Sequence, residues 1–437
     1  MAMVVKNNLQ AKNTLNQLEK NEKAKGKNLK SLASGMKINS AGDDASGLSI
    51  SERMEVQIRG LDQDNDNAQT GANMLKTAEG AVSSTVDILR TLKEKAINAA
   101  NDTNTDADRA TIQKEFDQAI DQIDENANMT YNGQTLVDGS KEHAVPKPGT
   151  YTSMTNESLA NGTQIDTQLV DLKDGDGISL EIESTDTMTV SYVMNGKTYT
   201  GSCLVGTTDI GGVFSNAGVG GNDLVLRSPL DDTVGENEFG ETVKTSSGRV
   251  ALTVMSQHPG VEGQISGLTI SFQDKYGHAK RRANALFDNF SETVRAKDPS
   301  DDNALTFQVG TKANQSVKLG LSDMRATALG LRSSDGTTVS VSSQADANAA
   351  INVIDTALKR ALDQQTDLGS VQSRLGYTSA NIITASENTQ SAESTIRDAN
   401  MAQEMTAYTK NNVLSQAAQS MLAQANQNSS SVLSLLQ

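Results

Sequence analysis

Residues 54–96 read MEVQIRGLDQDNDNAQTGANMLKTAEGAVSSTVDILRTLKEKA and carry the most regular apolar repeat in the chain. Alternating steps of four and three from Met54 to Ala96 meet only three polar residues. A repeat sustained over this length predicts a helix with a coiled-coil-like seam. At ~1.5 Å per residue the helix would be ~65 Å long, so we expect an elongated molecule. The larger apolar members of the seam are Met54, Ile58, Leu61, Leu75, Val82, Val86 and Leu89.

Both ends of the chain carry apolar stripes with helical spacing. A further helical region resumes near Ala345, and it places Ile354, Leu358, Leu368 and Leu375 on the same four-three grid. Each terminal stripe is too thin to order a helix alone, so we expect the two ends to pair with each other. The N-terminal stripe is Val5, Leu9, Leu15, Leu18, Leu29 and Leu32, and the C-terminal stripe is Leu414, Ala418, Met421, Ala425, Val432 and Leu435.

The middle of the chain has a different character, since it holds all five prolines and the single cysteine, Cys203. Apolar residues alternate from Met188 to Met194, and the turn-forming pair Asn195-Gly196 follows. This combination is a strong signal for a β-hairpin. We therefore predict a mostly antiparallel β domain over residues 141–302, with one short helix near Arg281–Val294. A second hairpin is predicted for residues 305–321.

Charge and hydropathy exclude two classes of partner. Lys+Arg number 38 and Asp+Glu number 54, so the net charge is −16 and the pI is about 4.7. Nucleic acid and anionic membranes repel such a chain. No run approaches the ~20 apolar residues that cross a bilayer, and Met1–Lys12 lacks the apolar core of a cleaved signal peptide. We expect binding neither to nucleic acid nor to a membrane.

No residue pattern carries enzymatic chemistry. The three histidines His143, His258 and His278 have no metal-ligand spacing. Cys203 falls on a strand pattern, where a small apolar role is favoured over that of a nucleophile. The basic run 280–282 reads as a solvated helix start. We therefore expect no enzyme activity, no metal and no cofactor.

The terminal stripes leave two architectures open. One is a monomeric helical bundle with a β insertion. The other is lateral packing of the paired termini against identical neighbours. A two-helix pair buries too little apolar surface to offset the entropy of ordering it, which favours the second architecture.

Two long motifs resemble the signatures of bacterial flagellins. Residues 32–51, LASGMKINSAGDDASGLSIS, are similar to the N-terminal signature, and IRGL and NAQTG continue it over 58–71. Residues 374–376, 392–402 and 416–426 resemble the C-terminal signature. The resemblance covers roughly the first 140 and the last 135 residues and does not extend to the middle domain.

The resemblance implies a mainly α fold with an inserted β domain and five segments in chain order. The hairpin over 305–321 and its tail 323–331 are similar to a flagellin rod-domain hairpin, so we place the downstream domain boundary near 303. The implied segments are 1–43 and 399–437 as the two halves of an elongated terminal coiled coil, 44–140 and 303–398 as the two halves of a helical rod domain with a β-hairpin, and 141–302 as an outer, antiparallel, β-rich variable domain.

Function and partners also follow from the resemblance. It implies a structural subunit of an extracellular flagellar filament that serves motility, formed by self-assembly of the paired terminal helices into a homopolymer. Secretion would proceed unfolded through the flagellar type III export channel. An export chaperone would bind the C-terminal helix over about Ala402–Gln437. The filament cap and the hook–filament junction proteins would be further partners.

One segment departs from the family pattern. Many flagellins carry a segment like LQRVRELA that the animal innate receptor for flagellin contacts, whereas residues 89–96 here read LRTLKEKA. The usual Arg aligns with Thr91 and the usual Leu with Lys95, while Glu115 matches a contacting Glu. The loss of an Arg and an apolar anchor predicts weak receptor binding. The candidate receptor-facing surface is Arg90, Thr91, Glu94, Lys95 and Glu115.

Two other functions remain open at this point. A hook–filament junction protein shares terminal helical patterns, although the detailed N-terminal signature favours the filament subunit. An enzyme or an adhesin could occupy the middle domain. The residue types argue against an enzyme there, and glycan binding is untested.

Overall fold

The computed structural model describes residues 8–434 except 222, 229 and 246, and it describes no side chains for 429–434. Long helices occupy both ends of this range, as the apolar periodicity predicted. The helices are α1 (Leu9–Ser34), α2 (Ala45–Ala99), α3 (Asp106–Ala127), α4 (Val213–Asn216), α5 (Arg281–Phe287), α6 (Ala326–Leu329), α7 (Gln344–Arg397) and α8 (Met401–Ser434).

The strands lie between α3 and α7 and form small antiparallel sheets. A three-stranded sheet has the order β10-β4-β5, and a four-stranded sheet has the order β11-β3-β9-β6. The pairs β1-β2, β7-β8 and β12-β13 are two-stranded. The bounds are β1 (Thr130–Tyr131), β2 (Gln134–Thr135), β3 (Ser153–Asn156), β4 (Thr187–Met194), β5 (Lys197–Leu204), β6 (Leu224–Leu226), β7 (Thr233–Glu236), β8 (Thr242–Lys244), β9 (Leu252–Ser256), β10 (Ile265–Gln273), β11 (Ser291–Val294), β12 (Leu305–Gln308) and β13 (Ser316–Leu319). The predicted fold class, mainly α with an inserted β domain, is confirmed.

Helix boundaries follow from local capping chemistry. Gly35 ends α1 in the left-handed conformation, with φ 73°. Asp44 caps α2 by accepting hydrogen bonds from the backbone N–H groups of Ser46 and Gly47 at 3.1 and 3.0 Å. Thr105 and Asp108 form a reciprocal capping box at the start of α3. The turn between α1 and α2 therefore has defined stop and start signals.

The described residues fall into two compact units. Unit 1 comprises the described residues within Met1–Ala68, Gln308–Gln315 and Tyr377–Gln437. Unit 2 comprises Gln69–Phe307 and Ser316–Gly376. The five-segment domain division drawn from the sequence stays a prediction.

Unit 2 has a closed apolar core in its helical part. Leu75, Val82 and Leu89 of α2 are fully buried, as are Phe116 and Ile120 of α3. These positions recur at helical spacing, so each helix buries one stripe. Burying side chains of this size stabilises the fold by about 1.5–3 kcal/mol each, which fixes these helices against one another.

The β part of unit 2 encloses a second core, to which both larger sheets contribute. Met188, Val190 and Tyr192 of β4 point into it, and Leu268 and Phe272 of β10 join them. The strict alternation read from the sequence is therefore the inward face of these strands. The predicted hairpin pairs β4 with β5, and Met194 lies opposite Lys197 across the turn.

One helix in this region is shorter than the sequence predicted. The predicted element near Arg281–Val294 is a helix only over α5, and residues 291–294 form β11, which pairs with β3. Thr293 is β-branched and Val294 is buried, so the end of this segment suits a strand. Phe290 and Val294 follow Phe287 at steps of three and four, so the helical pattern continues beyond the true end of the helix.

A buried ion pair links the β part of unit 2 to α7. Arg360 of α7 and Glu292 of β11 form a two-bonded ion pair, and their side chains are only 3% and 7% exposed. Arg360 also donates to the carbonyl oxygen of Ala328 at 2.7 Å. Nearby Arg295 donates to the carbonyl of Asp323, and burial lowers its pKa to about 10. Removing Arg360 or Glu292 would leave the other charge buried without a partner, so this ion pair constrains how β11 packs against α7.

The turn of the β4–β5 hairpin generates a prediction about stability. Gly196 has φ 67°, and a Cβ atom there would lie 2.4 Å from the backbone nitrogen of Ser333. Gly218 also has a positive φ of 73°, but a Cβ atom there would meet open space. Gly218→Ala should therefore cost only the conformational strain of about 1–2 kcal/mol. Gly196→Ala should cost about 3 kcal/mol or more, because backbone must also move.

Urea unfolding of the full-length monomer, followed by far-UV circular dichroism, measures both variants. Equal destabilisation by the two substitutions would contradict the close approach of the turn to Ser333.

Candidate functional site

The paired helices α1 and α8 form the most distinctive surface of unit 1. They run antiparallel, since Asn8 donates to the carbonyl of Ala425 at 3.2 Å while Asn28 donates to the Glu404 carboxylate at 2.6 Å. The two ends of the described chain therefore pair with each other, as the sequence predicted.

The seam between α1 and α8 is closed by small and polar side chains. Asn411 donates to the side-chain oxygen of Asn28 at 2.9 Å across the seam. Asn21 is 7% exposed, and Ser31 and Ser415 are similarly buried. Buried amides and hydroxyls favour close helix approach where each polar group finds a partner. The seam therefore gains its register from polar contacts, with Leu18 and Leu32 half-buried beside them.

The residues predicted for the terminal coiled coil and polymerisation differ in burial. Leu18 and Leu32 are half-buried, and Ala418 and Ala425 are buried. The other predicted members with described side chains are exposed and do not fill the pair; they are Leu9, Leu15, Leu29, Leu414 and Met421. Val5 and Leu435 lie outside the described residues, as does the side chain of Val432.

Several large apolar side chains instead remain exposed on the helix pair. Their exposed fractions are high, with Leu9 at 68% and Met421 at 62%. Such side chains remain available for contact with another molecule. We call this set the outer apolar surface; it consists of Leu9, Leu15, Leu29, Met401, Met405, Val413, Leu414 and Met421.

Backbone hydrogen bonds connect the two chain segments at the end of the helix pair where α1 ends and α8 begins. Lys37 donates its N–H to the carbonyl of Arg397 at 2.7 Å, and Ala399 donates to that of Gly35 at 2.9 Å. The Arg397 guanidinium binds Glu52 and Glu55 of α2 at 3.1 and 2.9 Å. These contacts join the turn after α1 to the turn before α8, so the two helices are held together at this end.

A surface ion pair neighbours this clamp. Lys27 of α1 lies 3.0 Å from Asp43 in the turn. The Lys27 side chain, with help from Ser40, lowers the pKa of Asp43 to about 2. Asp43 therefore stays charged at any physiological pH and remains a partner for the lysine.

The residues predicted to form the rod-domain seam lie along α2 and α7. In unit 2, buried positions include Leu75, Val82, Val86 and Leu89 of α2 and Ile354, Leu368 and Leu375 of α7, while Leu358 is half-buried. In unit 1, Leu61 is buried, whereas Met54 and Ile58 are half-buried. Polar contacts accompany the seam: in unit 2, Gln372 donates to Glu79 at 2.8 Å, and in unit 1, Ser379 donates to Asn65 at 2.6 Å.

The predicted receptor-facing residues lie on α2 and α3 of unit 2. Arg90, Thr91, Glu94 and Glu115 are exposed, and Lys95 is half-buried. Lys95 forms an ion pair with Glu115, and Arg90 forms one with Asp87 at 2.9 Å. The Glu115 carboxylate therefore already has a partner within the chain.

The three histidines, Cys203 and Lys280 each have contacts or burial that fit a structural role. His143 accepts a hydrogen bond from the N–H of Gly320 at 3.1 Å, and His258 and His278 lie near Asp223 and Asp274. Cys203 is half-buried on β5, and burial raises its pKa. Lys280 lies 3.3 Å from the buried carboxylate of Asp186. Within the part of the chain that the structure describes, no group of three His, Cys, Asp or Glu residues could hold a metal ion.

Among the described residues, no helix is both long enough and apolar enough to cross a bilayer.

A cleft lies on the β part of unit 2. Its volume is about 640 Å³, and its walls include Pro146, Tyr151, Arg227, Glu236 and Asn237. It is far from the terminal helices in sequence and carries no group of catalytic residues.

A mainly helical chain whose terminal helices pair, with a β-rich segment between them in the sequence, defines a class of structural protein. Residues 5–142 match the description "Bacterial flagellin N-terminal helical region". Residues 351–436 match "Bacterial flagellin C-terminal helical region". The two matches cover the same terminal regions in which α1, α2, α7 and α8 lie.

Full-length relatives agree with these matches. A flagellin from Clostridium tyrobutyricum is 35% identical over 97% of this chain and 99% of its own length. A flagellin from Bacillus subtilis is 28% identical over 99% of this chain and 100% of its own length. FliC from Burkholderia pseudomallei, a solved structure, shares 20% identity over 70% of this chain and 99% of that chain with a TM-score of 0.26, so the assignment rests on the sequence matches.

The chain belongs to the bacterial flagellin family. It is a structural subunit of the extracellular flagellar filament, and the family is one of structural proteins and not of enzymes.

The seam amides generate a prediction about the helix pair. Asn28→Ala removes the acceptor for Asn411 and the donor to Glu404, so the pair should open more easily by about 1 kcal/mol. Asn16→Ala is the matched control, because Asn16 is exposed on the same helix. Hydrogen exchange of the α1 and α8 amides in the monomer measures the difference, and about fivefold faster exchange is expected only for Asn28→Ala. Equal exchange in the two variants would remove Asn28 from the seam.

Proposed function

We propose that the chain polymerises through the outer apolar surface of α1 and α8, which packs against the same helices of neighbouring copies. The supporting observation is the division of the pair into a polar seam and an apolar exterior. The seam pairs its amides within one chain, whereas the leucines and methionines of the outer apolar surface stay 41–68% exposed. Repeated burial of such side chains favours association by about 25 cal/mol per Å².

We propose that further partners of this chain contact the same surface. An export chaperone that covers about Ala402–Gln437 would hide Met405, Val413, Leu414 and Met421 before secretion. Such a cover would keep the subunit monomeric in the cell and allow transport in an unfolded state. The filament cap and the hook–filament junction proteins would meet the same helices at the two ends of the polymer.

Filament assembly tests the main proposal. Leu414→Gln with Met421→Gln replaces two exposed apolar side chains by good helix formers, so the monomer should keep its helix content. The concentration needed for seeded polymerisation should rise more than tenfold, because each copy loses burial at a repeated contact. Sedimentation and electron microscopy of the full-length protein measure the effect.

The matched control replaces two apolar residues of unit 2 that are somewhat more exposed, Ile178→Gln with Tyr276→Gln. Normal filaments from the Leu414 and Met421 variant would contradict the proposal, as would an equal loss of assembly in the control.

Weak binding to the animal innate receptor for flagellin is a second part of the proposal. Its support is the ion pair of Lys95 with Glu115 and the absence of an Arg at Thr91. Thr91→Arg with Lys95→Leu should release the Glu115 carboxylate and supply an anchor. In a reporter-cell assay with monomer, the half-maximal concentration should fall about tenfold. Lys275→Leu on the β part is the control, and full potency of the unchanged protein would refute this part.

A further inference from the structure

Helix α1 has a net positive charge, whereas the whole chain has a net negative charge. Its sequence has six lysines and two glutamates, which gives a net charge of +4 in a chain of net −16. The other described residues of unit 1 carry eleven acidic and six basic residues, a net charge of −5. Opposite charge is therefore separated within unit 1.

Four of the lysines share one face of α1. Lys20, Lys23, Lys27 and Lys30 follow each other at spacings of three, four and three, so they form a row on the helix surface. All four are exposed, and the residues that close the seam with α8, such as Asn21 and Asn28, lie on another face. We call this row the lysine stripe.

Only one member of the lysine stripe has a carboxylate partner among the described residues. Lys27 lies 3.0 Å from Asp43, which shows that a carboxylate fits beside the row. Lys20, Lys23 and Lys30 form no ion pair within the described part of the chain. Three exposed positive charges on an acidic protein therefore remain uncompensated.

A matching acidic set lies on α2 and α7 in the same unit. Asp62 and Asp66 are one helical turn apart on α2, and both are exposed. Asp62 accepts a hydrogen bond from Ser386 of α7 at 3.0 Å, and exposed Glu387 follows directly. None of these three carboxylates has a basic partner among the described residues. In contrast, Glu52 and Glu55 of α2 are bound by Arg397. We call Asp62, Asp66 and Glu387 the acidic patch.

We propose that the lysine stripe of one copy docks on the acidic patch of a second copy in the filament. The inference rests on the proposed self-assembly and names a polar contact that accompanies the apolar one. Each copy offers both surfaces, so the contact is heterologous, and a heterologous contact can propagate along a filament. It also offsets the repulsion that a net charge of −16 imposes on close-packed subunits.

Charge reversal with a swap tests this contact. One full-length variant changes the stripe with Lys20→Glu, Lys23→Glu and Lys30→Glu, and a second changes the patch with Asp62→Lys, Asp66→Lys and Glu387→Lys. Each variant alone should need about tenfold more protein to polymerise, because like charges then face each other at every contact. A mixture of the two variants in equal amounts should recover assembly, because each reversed surface meets a complementary one. Salt alone is a poor test, since it screens both the contact and the overall repulsion.

The control keeps the net charge of the stripe variant but moves the change to exposed lysines of unit 2, with Lys173→Glu, Lys197→Glu and Lys275→Glu. Circular dichroism of each monomer establishes that it is folded. Normal assembly of the stripe variant would overturn the proposal, and so would failure of the folded variants to recover when mixed. Loss of assembly in the Leu414 and Met421 variant together with normal assembly of the stripe variant would retain the proposed function and reject this contact alone.

Discussion

The polar seam between α1 and α8 is the constraint on which unit 1 depends. In an ordinary helix pair, leucines fill the contact and polar groups face water. Here Asn411 donates to the side-chain oxygen of Asn28, Asn28 donates to Glu404, and buried serines and alanines line the same contact. An apolar side chain in place of one of these amides would leave its partner unsatisfied, at a cost of about 1–3 kcal/mol. Leu18 and Leu32 enter the seam half-buried, whereas Leu9, Leu29, Leu414 and Met421 stay exposed.

Unit 2 has apolar cores that close within one chain. Its helices enclose Leu75, Leu89 and Phe116, and its β part has a core of its own. The buried pair of Arg360 and Glu292 joins β11 to α7. Loss of one member would leave an uncompensated buried charge, so the pair favours a single arrangement of these two elements. Large apolar side chains are exposed in both units, so what distinguishes unit 1 is the polar seam between its two terminal helices.

Periodicity and turn chemistry made much of this fold predictable. The four-three repeat of α2 and α7, the pairing of the chain ends and the Asn195-Gly196 hairpin are physical consequences of local sequence, and the structure has all three. The face of α1 that meets α8 was not predictable from leucines, because their spacing fits a contact with any partner. A signal did exist: Thr14, Leu18, Asn21, Lys25, Asn28 and Leu32 also follow steps of four and three, but polar members hide that grid in a hydrophobicity pattern. The end of α5 was missed for a related reason. The apolar spacing that includes Phe287 continues past the end of the helix, whereas strand pairing with β3 determines the structure of the residues that follow.

The difference between the polar seam and the exposed leucines is informative about how such a sequence is constrained. A terminal helix of this protein has two contacts to encode, one within its own chain and one with other molecules. If leucines encoded both, the pair could exchange partners freely, and the monomer would have no preferred register. Amides and serines encode the contact within the chain through directional hydrogen bonds, which tolerate few alternatives. The apolar exterior and the charged rows remain for contacts that must repeat between identical copies. Division of the helix surface by chemistry lets one short helix keep a defined partner in the monomer and still offer a second surface for assembly.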